Sequence, residues 1–175
     1  MHDKGWYNIM TNYINDLEIL KREIALIDLS NVDYGNVYDK ISQKVSYNIL
    51  GSGVTRIVFD IGNGYIVKFQ FGTYSHNHKR PNIDEHKQYK QACKDGKHKL
   101  FAPAVYISDN GLWLVMKKLV TTISNDRTQA NVNKYNHLVR EINSNYNNIG
   151  DLHKANVMIN DKGNAQAIDY GCNEA

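Results

Sequence analysis

Apolar residues recur every third or fourth position from Trp6 to Ile27, through Ile9, Met10, Tyr13, Ile14, Leu17, Leu20 and Ile24. That spacing predicts an amphipathic helix. Ser30-Asn31 and Asp33-Tyr34-Gly35 break it, and a shorter helix is expected over 36–45 with Val37, Ile41 and Val45 inward. The period then drops towards two. Segments 47–50, 56–59 and 65–71 are rich in β-branched and aromatic residues and read as three strands. Gly51-Ser52-Gly53 joins the first pair, and Gly62-Asn63-Gly64 is a tight hairpin signal for the second. Pro81 is suited to the first turn of a helix, expected over 82–94. Strands near 103–108 and 112–118 follow, split by the turn Ser108-Asp109-Asn110-Gly111. A helix over 127–146 carries Val132, Leu138, Val139 and Ile142 on one side. Val157-Met158-Ile159 and Ala165 to Ile168 form a last hairpin around Asn160-Asp161-Lys162-Gly163. This order predicts an α+β fold with an antiparallel sheet, not alternating parallel units.

Composition narrows the class without naming a chemistry. The 175 residues suffice for one good core or two small lobes, and 42% hydrophobic with 22% charged residues is ordinary for a globular protein. A net charge of +3 suits a phosphate-bearing ligand without calling for nucleic acid. The basic stretch from His76 to Lys99 lacks interleaved aromatics and is interrupted by Asp84, Glu85 and Asp95, so a solvated face is the better reading than a nucleic-acid partner. His76, His78 and His86 lack a fourth ligand at zinc spacing. Two cysteines, Cys93 and Cys172, suggest no disulfide framework and a reducing compartment. The start lacks the apolar run of a signal peptide, and no stretch approaches a membrane span; a cytoplasmic protein without a membrane partner is expected.

The chemistry concentrates late in the chain. Asp151 stands five residues before Asn156, and Asn156 thirteen before Asp169, which Tyr170-Gly171 follows. A carboxylate to take up a hydroxyl proton, with an Asn and an Asp to hold magnesium, is what phosphoryl transfer from ATP requires. The hairpin turn at 160–163 is what returns Asp169 to Asn156. Upstream, Gly51-Ser52-Gly53 would let backbone N–H groups approach phosphates. Strand alternation places Val67, Phe69 and Phe71 on a core face and Ile66, Lys68 and Gln70 on a mixed one. That mixed face either lines a half-dry cleft, where Lys68 needs an anionic partner, or meets water. Glu85, one turn into the following helix, is the candidate carboxylate, with Asp84 as the alternative. Met116-Lys117-Lys118-Leu119 ends the fifth strand, where backbone groups could meet an adenine covered by Val58 and Met116; Met116 equally suits a core.

Gly51 and Gly53, Val58, Lys68, a helix glutamate, Asp151-Leu152-His153-Lys154-Ala155-Asn156 and Asp169-Tyr170-Gly171 resemble, in order and spacing, the motifs of the protein-kinase-like superfamily. The resemblance covers residues 46–171. It implies a bilobal fold with a five-stranded antiparallel N-lobe over 46–118, a truncated helical C-lobe over 119–175, and a separate helical segment over 1–45. It further implies Gly51 to Gly53 over the phosphates of ATP, Lys68 on the α/β-phosphates paired with Glu85, Asp151 as catalytic base, and Asn156 and Asp169 on magnesium. Arg56 replaces the third loop glycine, and Gly150-Asp151-Leu152-His153 resembles the loop of aminoglycoside and choline kinases more than that of protein kinases. Few residues follow Gly171, so either the N-terminal helices, a second copy or a partner protein would complete the C-lobe, or the protein would need little more than the nucleotide site. Compact kinase-like proteins of this kind are similar to ones encoded by bacteriophages, which would place this one in a host cytoplasm. The expected activity is transfer of the γ-phosphoryl of ATP to a protein or small-molecule hydroxyl. The competing reading is a kinase-shaped regulator that binds nucleotide or a partner without turnover.

Overall fold

The computed structural model describes residues 4–29, 34–53, 55–71, 80–125, 128–147, 149 and 152–170. The chain divides into two compact units, Met1–Lys79 and Arg80–Ala175.

In the first unit, α1 (Lys4–Ala25) and α2 (Tyr34–Ser42) precede β1 (Asn48–Ser52), β2 (Arg56–Gly62) and β3 (Tyr65–Gln70). The helical stripe predicted for α1 buries Tyr13, Leu17, Leu20 and Ile24, while Ile14 stays 42% exposed. The helix packs on β2, and the Tyr13 ring lies 5.0 Å from that of Tyr65. Glu23 holds the chain after α2 by accepting from both the backbone N–H and the hydroxyl of Ser46, at 2.9 and 2.7 Å. These helices therefore belong with the strands of their own unit. Helix α2 buries Val37 and Ile41 as expected but ends earlier, leaving Val45 outside it and half-buried. The three strands are antiparallel neighbours. At the β2–β3 connection, Asn63 and Gly64 take φ of 53° and 76°, the two left-handed positions that a tight hairpin turn of this hand requires.

The second unit opens with α3 (Pro81–Lys94) and a 3-10 turn (His98–Leu100), then the hairpin β4 (Ala104–Ile107) and β5 (Trp113–Lys117). A two-residue strand, β6 (Thr121–Thr122), α4 (Gln129–Asn145), a second 3-10 turn (Lys154–Asn156), β7 (Val157–Ile159) and β8 (Ala165–Ala167) complete it. Thr128 caps α4 by accepting from the Asn131 N–H at 3.4 Å. Helix α3 is pinned at its start, where Asn82 donates to the Leu112 carbonyl at 2.9 Å and Ile83 packs over Gly111 in the β4–β5 turn. Strand β6 escapes a periodicity reading because two threonines carry no period. It makes a three-stranded sheet, β6-β7-β8, of what the sequence presents as a hairpin.

The fold is α+β as expected, with four α-helices among the described residues. Strands β1, β2 and β3 pair antiparallel in that order within the first unit, and β4 and β5 pair antiparallel within the second. No helix among the described residues is long and apolar enough to cross a membrane.

Candidate functional site

Three of the residues expected around ATP stand side by side in the first unit. Gly51 pairs with Val58 across β1 and β2, and Val58 pairs with Lys68 across β2 and β3. Directly opposed residues in antiparallel strands project to the same face, so Val58 and Lys68 are lateral neighbours there. Ser52 lies opposite Ile57, and the Gly53 N–H donates to the Arg56 carbonyl at 2.8 Å, closing the turn. The register of β1 shifts between Ile49 and Gly51, a bulge at which Leu50 is 46% exposed. Neither Gly51 nor Gly53 has a left-handed φ, and a Cβ at either would meet nothing within 4 Å. The fold itself does not demand glycine at these two positions.

Lys68 is only 4% exposed and Gln70 3%. The face read as mixed is dry at both residues, which removes the water-facing alternative for the lysine. An ammonium this buried is retained only with polar or ionic company, and Lys68 is not without a partner.

In the second unit, α3 buries Asn82, Glu85, Gln88 and Ala92, a stripe with helical spacing whose first three members are polar. Glu85 is fully buried, whereas Asp84 sits half-buried in the first turn, so the helix turns Glu85 inward. Its surroundings include the end of the chain's last motif. Tyr170 is buried, donates its hydroxyl to the Ala102 carbonyl at 2.7 Å, and packs 4.8 Å from the Phe101 ring. Burial first, and then the charge of Glu85, push the Tyr170 phenol well above its ordinary range, with smaller contributions from Tyr89, Cys93 and Asp169. Glu85 and the Asp169-Tyr170 pair thus share one neighbourhood.

Asn156 and Asp169 come together through the β7–β8 ladder. Val157 pairs with Ala167, and one step further the Ile168 N–H donates to the Asn156 carbonyl at 3.0 Å. Asp169 follows directly, held between that bond and the Tyr170 anchor. The 3-10 turn before β7 is capped by His153, whose Nδ1 accepts from the Ala155 N–H at 3.2 Å. Asn156 and Asp169 are both half-buried, and each has a polar or electrostatic partner. Among the described residues no group of three or more His, Cys, Asp or Glu side chains is placed to hold a metal.

Gly150, Asp151 and Gly171 lie outside the described residues, as do His76 and His78. Ile149 and Leu152, before and after Gly150 and Asp151, are described. Ile149 is buried, and the Leu152 carbonyl accepts from the Tyr135 hydroxyl of α4 at 2.7 Å. Tyr135 was not singled out from the sequence. A signal was available: it falls between Asn131 and Leu138 on the inward stripe of α4, and a phenol on such a stripe needs a hydrogen-bond acceptor. Gln166 is a second such residue, its amide donating to the carbonyls of Lys99 and Phe101 at 3.1 and 3.0 Å, which rivets β8 to the segment after α3.

At the expected adenine edge, Met116 is 1% exposed on β5, opposite Ala104. Lys118 is exposed, and the N–H of Lys117 is already donated to the Pro103 carbonyl at 2.9 Å.

No protein-family profile matches the chain, and no curated protein matches it in sequence. Among solved structures it is similar to an apo pseudokinase, at a TM-score of 0.39 and 14% identity over 71% of this chain and 56% of that one. It is also similar to the bifunctional kinase-methyltransferase WbdD, at a TM-score of 0.45 and 20% identity over 68% of this chain and 30% of that one. The chain thus spans less than two-thirds of the length of either.

Proposed function

We propose that the chain is a magnesium-dependent, kinase-like phosphotransferase that moves the γ-phosphoryl of ATP to the hydroxyl of a protein or small molecule. The observation that carries this reading is the β7–β8 ladder, which delivers Asn156 and Asp169 to one end of a short hairpin. A carboxamide oxygen and a carboxylate are hard donors suited to magnesium, so the residues fit the ion. When bound, Mg-ATP supplies the phosphoryl group and offsets its charge.

The chain's own residues divide the remaining work. Lys68 contributes a buried cation for the α- and β-phosphates. The backbone of Gly51, Ser52 and Gly53 offers N–H groups on a turn with open space above both glycines. Val58, next to Lys68 in the sheet, and Met116 supply apolar cover for the base, and the strand end at Lys118 its backbone edge. Glu85 contributes a buried carboxylate in the neighbourhood of Tyr170. Asp151 takes the proton of the acceptor hydroxyl, and Tyr135 positions it by holding the next residue.

Incubation with labelled ATP and magnesium, alone and with lysate, beside Asp151→Ala and Asp169→Ala, tests the reading. Transfer that both substitutions abolish supports it. Magnesium-dependent binding without transfer would replace it with a nucleotide-binding regulator, and absence of ATP binding would sink both.

A further inference from the structure

The β7–β8 hairpin carries a second chemical feature at its other end. Around its turn lies a cavity of about 540 Å³, walled by α4, the hairpin tip and the 3-10 turn after α3. Lys99, Lys134, His137 and Lys162 line it, each from an exposed position, and no carboxylate does. Leu138 and Ala165 supply apolar surface within the wall. The Lys134 Nζ stands 3.9 Å from the position a Cβ would take on Gly163, so the α4 ammonium overhangs the turn itself.

The amide side chains of Asn160 and Gln166 in this wall are already committed. Asn160 Oδ1 accepts from the backbone N–H groups of Lys162 and Asn164 at 3.0 and 2.9 Å, and its Nδ2 donates to Gln166 Oε1 at 3.2 Å. Gln166 in turn donates to Lys99 and Phe101. The wall is therefore fixed by its own hydrogen bonds, whereas among the described residues none of the side chains of Lys99, Lys134, His137 and Lys162 has an acceptor. The nearest acid along α4, Glu141, lies 3.8 Å from Lys97. A concave site with cations from three separate chain segments and no carboxylate in its lining, the exposed Asp161 of the turn standing outside it, raises the local concentration of anions.

We infer that this cavity binds a small phosphate-bearing molecule, at a site distinct from Asn156 and Asp169. The volume falls within the roughly 300–1,000 Å³ of small-molecule pockets. Ammonium groups bind phosphate as point charges, and a phosphate group, with a charge of about −2 against −1 for a carboxylate, gains more from a cluster of them. Leu138 and Ala165 would meet the organic part of the ligand.

The test uses the full chain and inorganic pyrophosphate without magnesium, followed by backbone amide NMR. Saturable shifts centred on Gly163, Asn164 and Ala165 are expected. They should persist in Lys68→Met and weaken by about tenfold or more in Lys134→Ala/Lys162→Ala, since each charge-assisted contact is worth roughly that factor. Shifts that never saturate, that centre on residues 51–53 instead, or that survive the double substitution unchanged would overturn the site. The mapping on the unsubstituted chain stands even if the double variant folds poorly. Because Asn156 and Asp169 remain intact throughout, the outcome is independent of whether the chain transfers phosphate.

Discussion

The N–H of Ile168 donates to the carbonyl of Asn156 at 3.0 Å, and this bond fixes how the two candidate metal ligands approach each other. It is the last rung of a ladder only three residues long on each strand. Asp169 then has no freedom to drift, because Tyr170 is tied to Ala102 one residue later. Asp169→Ala should abolish magnesium-dependent transfer, and Asn156→Ala should lower it by roughly 10²-fold or more while raising the magnesium requirement. Tyr170→Phe leaves a buried carbonyl unpaired and should cost about 1–3 kcal/mol of stability. A thermal melt beside a magnesium titration separates these effects. An Asn156→Ala variant with unchanged magnesium dependence would remove Asn156 from the metal site.

Tyr135 touches neither nucleotide nor acceptor in the proposed reading and acts only through Leu152. Tyr135→Phe should therefore lower kcat, by up to about 10²-fold if the loop shifts by an ångström, while leaving KM for ATP unchanged. Equal losses in both constants would assign Tyr135 a structural role alone.

Two glycines separate conformational strain from steric conflict. Gly163 has φ of 77° and nothing closer than the Lys134 amine at 3.9 Å, so Gly163→Ala should cost only the left-handed backbone term of about 1–2 kcal/mol. Gly111 has φ of 73°, and a Cβ there would meet the Ile83 side chain at 2.6 Å. Gly111→Ala should cost more, about 2–4 kcal/mol, by displacing the first turn of α3 from the β4–β5 turn. Denaturant unfolding of the two variants checks the order, and equal losses would show that Ile83 yields freely.

Alkaline stability should depend on Tyr146. Burial first, and then its hydrogen bond to Asp95 at 3.1 Å, raise its phenol from 10.0 to about 12. The folded state keeps this proton to higher pH than the unfolded state does. Its contribution is thus complete below pH 10 and is lost as pH climbs towards 12. Tyr146→Phe should flatten the fall of unfolding free energy across that window. Tyr47 and Tyr89, shifted the same way, should leave a residual slope. An unchanged profile would show that Tyr146 titrates normally in the folded chain.

What the sequence made legible follows from where periodicity and turn chemistry operate. The α1 stripe, the strand pairs around Gly62 to Gly64 and the hairpin around Asn160 to Gly163 were readable because local residues dictate them. The row Gly51–Val58–Lys68 was only half legible. Spacing suggested the residues, but register alone makes them neighbours, and a bulge at Leu50 contributes to that register. The dryness around Lys68 was beyond reach, since Ile66, Lys68 and Gln70 alternate as an exposed strand face would. Glu85 and Asp84 could not be told apart for the same reason: the inward side of α3 is Asn, Glu and Gln, which leaves no hydrophobic period to follow. Asp151, the residue on which the opening motif depends most, lies outside the described residues.

That polar inward side has a kinetic consequence. A helix that buries Asn82, Glu85 and Gln88 gains little from collapse alone, because Asn82 and Glu85 must each find a polar partner and the buried Gln88 Nε2 is left without an acceptor. Asn82 needs the carbonyl of Leu112, thirty positions away, and Glu85 shares its surroundings with Tyr170 near the other end of the unit. Helix α3 should therefore consolidate after the folding transition state, and Ala92→Gly should hasten unfolding while leaving the folding rate nearly unchanged.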